Sequence, residues 1–564
     1  MPRMTPQDLD TAREKAAQAA NACIKVGMST CGIAAGADVA FTTLQAEVKT
    51  RGLTIAVRKT GCAGTCSLEP LVEVCLAGKP SVTFGGVDAA AAKRIIEEYV
   101  IGGKVPTDLV VPGITDLAVS CNNNAQPAIK NSQKQYRIVM RNCGVIDPES
   151  LDEYIGANGY QAVKKALTSQ TPEQVIEELK AAGLRGRGGA GFPTWLKWQL
   201  TRQSKGAQKY IICNGDEGDP GAYMDRSVLE GDPHSVLEGM ILGGYVIGAT
   251  KGVFYIRAEY PLAVERIEKA LRQARAAGLL GNNILGSEFS FDCEIRLGAG
   301  AFVCGEETAL IASCEGKRGT PRPRPPYPSV KGLWDHPTMI NNVETLANIA
   351  PILCRGGAWF ASIGLGRSTG TKVFAVTGKV KHAGLVEIPM GMTLREIVVD
   401  IGGGTATGGK IKAVQTGGPS GGLIPENLLD TPVTYEHLLQ LGSIMGSGGM
   451  IVMDESDSIL ELARFYLGFS VDESCGKCAP CRIGGTQMLR ELNKVAEGKA
   501  TAANIATIKR IAQAMQKASL CALGATTPNP ILSGLKYFAS EFESKLQPTP
   551  KPTTTFTATF KAKT

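Results

Sequence analysis

The chain has 564 residues, 43% hydrophobic and 20% charged, which is enough apolar material for several cores and argues against bulk disorder. At roughly 100–200 residues per domain, this length suggests about three to five domains. The net charge is only +7, part of it in the tail at Lys551, Lys561 and Lys563, and no dense basic stripe marks a nucleic-acid partner.

The first residues, MPRMTPQDLDTAREKAAQAANAC, lack the apolar core of a signal peptide. The longest apolar run, Met240–Thr250, is glycine-rich, is closed by Lys251 and is too short to span a bilayer. A cytoplasmic chain with no direct membrane span is expected, though a membrane complex could carry it as a peripheral subunit. Sixteen cysteines under reducing conditions are not a disulfide framework. Those at close spacing point to metal or redox chemistry. Cys213, Cys293, Cys304 and Cys354 lie in apolar runs and read as core.

In chain order, residues 1–105 read as a small α/β unit with strand-like runs at 53–58 and 71–76, closed by the helix AAAAKRIIEEYV. Residues 106–135 are polar and turn-rich, as a linker is. From 136 to 368 strand-like and helix-like segments alternate, implying layered α/β architecture. Thr171-Pro172-Glu173-Gln174 predicts a capped helix start, and that helix ends before Gly183. Strands are predicted at 209–213, 252–257 and 291–297, with a helix restarting after Asp232-Pro233. Residues 369–455 carry short β-rich runs between glycine clusters and suit a small mixed domain. Residues 456–546 have helical periodicity and predict a bundle of about four helices. The Pro/Thr-rich tail, 547–564, is expected to be disordered.

The strongest chemical signal is Cys475-x2-Cys478-x2-Cys481. Three thiolates at steps of three converge from one tight stretch of backbone, and Cys521, beyond a predicted helix, is the candidate fourth ligand of a [4Fe–4S] cluster. Zinc sites usually pair two two-cysteine knuckles, unlike this three-plus-one layout.

GLRGRGGAG at 183–191, followed by Phe192, is a loop whose backbone could approach a phosphate. It lacks the GxGxxG spacing after a strand, and a plain surface loop is the competing reading. NGDEGDPGAYMDR at 214–226 follows a predicted strand, where α/β sheets bind ligands. Glu306 and Glu307 open a helix, where acids are favourable in any case. PRPRPPYP at 321–328 presents Arg324 and Tyr327, and NNVET offers Asn341 and Asn342.

These segments, with ESCGKCAPCR, resemble in content and order the NADH-binding flavoprotein subunit of respiratory complex I. They equally resemble its counterparts in soluble NAD-linked and electron-bifurcating hydrogenases and formate dehydrogenases. The resemblance covers about 140–525. It implies a multidomain α/β chain: a Rossmann-like flavin domain, a β-grasp-like domain and a C-terminal helical bundle with an iron–sulfur cluster. It implies FMN among Gly186, Arg187, Gly188, Gly189, Lys197, Asn214, Asp216, Asn341 and Asn342. Phe192 and Tyr327 would flank the nicotinamide nucleotide, with Glu217, Asp219, Glu306, Glu307 and Arg324 near its polar parts. Asp219 stands where many relatives carry glutamate, and Arg324 where many carry lysine. An acid near the adenosine ribose would repel a 2′-phosphate, which favours NAD(H). The implied activity is a diaphorase: hydride passes between NAD(H) and FMN, then single electrons leave through the [4Fe–4S] cluster.

Cys31, Cys62 and Cys66 resemble the ligands of a thioredoxin-like ferredoxin domain attached to soluble relatives, normally Cys-x4-Cys plus Cys-x3-Cys around [2Fe–2S]. Val26 stands at the missing position, so the alternative to a cluster is a docking module that kept its fold. The implied partners are a thioredoxin-like [2Fe–2S] subunit, a catalytic subunit of hydrogenase or formate dehydrogenase type, and ferredoxin. A cofactor-depleted scaffold and a zinc module are the competing readings.

Overall fold

The computed structural model describes residues 3–18, 22–111 and 134–548; most of the expected linker (112–133) and of the tail (549–564) lies outside the described residues. The N-terminal unit holds strands β1 (Cys23–Gly27), β2 (Ala56–Thr60), β3 (Val72–Cys75) and β4 (Val82–Phe84) in the order β2-β1-β3-β4. β1 is parallel to β2 and antiparallel to β3. The second strand forms later than its hydrophobic run suggests, over 56–60 rather than 53–58. The core of this unit is Ile24, Val26, Leu44, Val72, Val74 and Phe84, under the helices Ala37–Thr50 and Ala89–Arg94.

The first helix, Pro6–Gln18, does not belong to that core. Leu9 is fully buried in the central domain, Met4 N–H donates to the Ala277 carbonyl at 2.8 Å, and Lys164 pairs with Asp10. Chain continuity alone groups this helix with the N-terminal unit; the larger neighbouring core captures it.

The central domain is a four-stranded parallel sheet, β5 (Tyr210–Gly215), β6 (Lys251–Arg257), β7 (Asp292–Gly298) and β8 (Thr338–Asn342), in the order β7-β6-β5-β8. Parallel strands joined by helical crossovers bury both faces. The helix Pro233–Ile247 is accordingly buried almost all round, which accounts for the apolar run near 240. No helix of the described residues is long and apolar enough to cross a bilayer. The helix Pro172–Ala182 starts with the predicted capping box and stops at Gly183, φ 66°.

The third unit is a five-stranded sheet of β9 (Thr371–Gly378), β10 (Gly384–Pro389), β11 (Ile411–Thr416), β12 (Leu423–Pro425) and β13 (Gly449–Asp454), ordered β10-β9-β13-β11-β12. The last unit is helical: Ile459–Asp472, Gly485–Ala496, Ala502–Ala518 and Asn529–Tyr537. The final predicted helix is broken at Phe538 into Asn529–Tyr537 and Ala539–Glu543. Cys213, Cys293 and Cys304 are buried as expected, but Cys354 is exposed at the end of the helix Ile349–Arg355.

Candidate nucleotide crevice and cysteine sites

The chain runs from β5 outward through β6 to β7 and then returns across the sheet to β8, so the strand order reverses beside β5 and opens a crevice at the carboxyl ends of β5 and β8, the place where such sheets take ligands. The register pairs Cys213 with Asn341 and Asn214 with Asn342, which sets the amide-bearing ends of both strands side by side. Asn214 Nδ2 donates to the Gly305 carbonyl at 3.0 Å, and its Oδ1 accepts the Asp216 N–H at 3.0 Å. Asn341 Oδ1 accepts from the buried Trp198 indole at 2.8 Å. Asn342 Oδ1 accepts the Glu344 N–H at 2.9 Å, and its Nδ2 donates to Asp225.

Asp216 is buried, and neither carboxylate oxygen has a partner in the chain. Burial pushes it up to about 7, against the pull of Arg257. Unpartnered buried oxygens are rare because they forfeit hydration, and here they suit a ligand that donates hydroxyl hydrogen bonds.

The glycine-rich loop packs over the same strand ends. Gly186 N–H donates to the Phe192 carbonyl at 2.8 Å, closing the loop on itself. A Cβ on Gly188 would press on Asn342 Cβ at 3.1 Å, and Gly189 has φ +122°, a backbone conformation that favours glycine. Arg187 is the surprise: its guanidinium is fully buried and donates to the carbonyls of Arg185, Thr369 and Thr371. It pins the loop to the third unit and presents no charge to a ligand. Tyr435, unremarkable in sequence, completes the anchor with its hydroxyl on the Gly186 carbonyl at 2.8 Å and its ring 4.1 Å from the Arg185 guanidinium.

Glu307 bridges two cations, accepting from Lys197 Nζ at 3.0 Å and from Arg324 at 2.8 Å. Burial raises its pKa, but the two cations outweigh that and hold it below the ordinary value. Phe192 and Tyr327 are 44% and 56% exposed, large aromatic side chains left without cover by the rest of the chain. Glu306 is committed to its helix, accepting the N–H groups of Thr308 and Ala309 at 3.0 Å. Glu217 likewise accepts the N–H groups of Asp225 and Arg226 at 3.1 Å, and Asp219 accepts from Ser447 at 2.8 Å. Both acids are thus held in place by hydrogen bonds within the chain.

Behind the crevice, the segment Phe302–Gly305 separates it from the C-terminal cysteines. Cys475, Cys481 and Cys521 pack against the apolar group that contains Val303, Cys304 and Leu523. A Cβ on Gly524 would lie 2.9 Å from Cys481 Cβ, so the helix after Cys521 folds directly onto the CxxCxxC turn. Gly476, φ +75°, turns that backbone, and Arg318 holds it through the Cys475 carbonyl at 3.0 Å. Burial pushes the Cys521 thiol up to about 11, with the Leu523 and Gly524 N–H groups opposing it. Those N–H groups and Ser474, whose hydroxyl is 3.2 Å from Cys481 Sγ, are donors suited to thiolates carrying cluster charge.

A third thiol group lies in the N-terminal unit: Cys31, Cys62 and Cys66 place their sulfurs within 4.8 Å of one another. Among the described residues it is the one close group of three or more metal-ligating side chains.

The comparisons with known proteins agree with this geometry. Residues 179–351 match the family model of the Nuo51 FMN-binding domain, 372–452 the SLBB domain, and 461–545 the NADH-ubiquinone oxidoreductase-F iron-sulfur binding region. The NADP-reducing hydrogenase subunit HndC of Solidesulfovibrio fructosivorans is 55% identical over 74% of this chain and 85% of its own. The F-type subunit of the NADH-quinone oxidoreductase of Escherichia coli (strain K12) is 40% identical over 71% and 90% respectively. A chain of an NAD+-reducing [NiFe]-hydrogenase in the H2-reduced state superposes with TM-score 0.66 at 30% identity, covering 97% of this chain and 90% of that one. The chain belongs to the family of NADH-quinone oxidoreductase F-type flavoprotein subunits, oxidoreductases with an FMN-binding domain and a [4Fe–4S] domain.

Proposed function

We propose that the chain is the NADH-oxidising subunit of a soluble, hydrogenase-like multi-subunit oxidoreductase. In this reading FMN lies in the crevice at the ends of β5 and β8. When bound, a flavin exchanges the two electrons of a hydride for single electrons, which the iron–sulfur cluster then carries. The backbone of Gly186, Gly188 and Gly189 and the second N–H and second lone pair left on the amides of Asn214, Asn341 and Asn342 hold the flavin, and Asp216 accepts hydrogen bonds from its hydroxyls. Phe192 and Tyr327 sandwich the nucleotide, and the Lys197–Glu307–Arg324 triplet sets the charge beside it. These groups bind, orient and exclude water; none is needed as an acid or base. Cys475, Cys478, Cys481 and Cys521 hold the [4Fe–4S] cluster.

The observation that carries this reading is the double use of one short segment. The Gly305 carbonyl contacts Asn214 in the crevice, while the neighbouring Cys304 packs in the apolar group that borders Cys521. Flavin and cluster then stand on opposite sides of a single stretch of backbone, a short path for electrons.

The N-terminal thiols suit a second cluster, of [2Fe–2S] type. The partners that go with this reading are a thioredoxin-like [2Fe–2S] subunit, a hydrogenase- or formate dehydrogenase-type catalytic subunit and ferredoxin. The test is the visible spectrum of the anaerobically purified chain before and after NADH or NADPH. Flavin and iron–sulfur absorbance bleached by NADH supports the reading, and comparison with NADPH decides the 2′-phosphate question. A folded but colourless protein overturns it.

A further inference from the structure

We propose that Glu69 is the fourth ligand of an iron–sulfur cluster held by Cys31, Cys62 and Cys66. This rests on the [2Fe–2S] reading of the N-terminal unit and supplies the ligand that its cysteines lack.

The spacing of a four-cysteine domain would put the missing thiol at residue 26, but Val26 is fully buried in the hydrophobic core of the N-terminal unit. The next residue, Gly27, faces the site. A Cβ built on Gly27 would stand 3.2 and 3.3 Å from the two carboxylate oxygens of Glu69, and one on Gly32 would stand 3.2 Å from Oε2. The carboxylate thus fills the space that a side chain at 27 would occupy, and two glycines make room for it.

The carboxylate is also aimed. Its Oε2 accepts the Leu71 N–H at 2.8 Å, and its Oε1 lies 3.9 Å from Cys31 Sγ. Cys62 and Cys66 place their sulfurs 3.6 Å apart. Two ligands on one tetrahedral metal with bonds of about 2.3 Å stand about 3.7 Å apart. Cys62 with Cys66 and Cys31 with Glu69 thus each have the spacing of two ligands on one metal, and the three sulfurs converge within 4.8 Å of one another beside the carboxylate. Cys23 and Cys75, which face each other across β1 and β3, are excluded: Cys23 is four residues, about 13 Å of strand, from Gly27.

The ligand loops are fixed against the flavin domain. Tyr223 OH points at Cys66 Sγ from 3.7 Å, Thr30 N–H donates to Glu230 at 2.9 Å, and the buried Arg266 donates to the Met28 carbonyl at 2.6 Å. A cluster so placed is rigidly held, and its environment is built by two domains. Replacing cysteine on one iron of a two-iron cluster is a recognised way to change its electronic properties.

The test uses the full chain, purified anaerobically, with iron counted and the dithionite-reduced protein examined by electron paramagnetic resonance. The expected wild-type result is about six irons per chain, with a two-iron signal beside that of the four-iron cluster. Glu69→Gln should fall to about four irons and lose the two-iron signal, with flavin content and melting unchanged. Glu69→Cys and the pair Gly27→Cys with Glu69→Ala should each restore about six irons with shifted g-values. Six irons and an unaltered signal in Glu69→Gln overturn the role of Glu69 and leave the cluster standing. Four irons in the wild type, zinc at this site, or a Cys62–Cys66 disulfide in place of iron overturns both.

Discussion

Lys197 Nζ lies 3.0 Å from Glu307 Oε2 in the wall of the crevice, and the other oxygen of the same carboxylate holds Arg324. One acid thus fixes two cations that would otherwise repel each other. Glu307→Gln should leave both cations under-compensated, weakening nucleotide binding. A rise in KM for NADH of about 10-fold, equivalent to about 1.4 kcal/mol, is expected from steady-state dye reduction. Because the Glu307 pKa is held below 4.5, its contribution to stability is present above that pH and is lost as the pH falls through the lowered folded value.

Asp216 gives the opposite sign. Its folded value of about 7 lies above the ordinary 3.8, so the flavin-free protein loses stability as pH rises between those values. A flavin hydroxyl donating to the carboxylate would lower that value and release the proton on binding. Flavin affinity should therefore tighten from about pH 6 to about pH 8, as read by fluorescence quenching, and Asp216→Asn should flatten the profile. A wild-type profile already flat over that range would remove Asp216 from the site.

Lys372 and Glu344 form a fully buried ion pair that joins the β-grasp-like sheet to the helix after β8. Glu344 also accepts the Val373 N–H at 2.9 Å. Lys372→Ala should destabilise the junction by about 3–5 kcal/mol, because a charge is left buried without its partner. The check is thermal flavin release, and replacement of both residues by apolar ones should cost less than either single change.

Cys478→Ala should remove about four irons while retaining flavin, since the Phe302–Gly305 segment stands between the cysteine turn and the crevice. Two-electron dye reduction should then persist and single-electron transfer to a ferredoxin-type acceptor should be lost. Loss of both activities together would place the cluster upstream of dye reduction.

Phe192→Ala and Tyr327→Ala each remove an exposed aromatic face. Each should raise KM for NADH about 3- to 10-fold, the worth of an aromatic contact of about 0.5–1.5 kcal/mol, with little change in melting. A large drop in melting temperature instead would make these rings structural.

Much of this was legible along the chain. The capping box at Thr171, the three parallel strands before residue 300 and the CxxCxxC turn depend on neighbours within a few residues, and all formed where expected. Charges were harder to read. Arg187, Glu217 and Glu306 looked like ligand groups in glycine- and acid-rich motifs, yet each spends its polar atoms on backbone close in space. A motif shows which residue types gather, not which of them the surrounding backbone has already claimed. Trp198 and Tyr435, which hold Asn341 and the loop, carry no local signal because their partners are far away in sequence.

Residue order alone thus settled the helices and strands, the glycines at turns and the thiols spaced for a metal, since these follow from local sterics and periodicity. Which core took the first helix, which carboxylates stayed unpartnered and which one fills the space beside Gly27 were decided by packing between distant segments. Burial and hydrogen-bond supply exist only once the sheets have stacked, and they determine whether the same carboxyl group is a helix cap, an ion-pair bridge or a ligand.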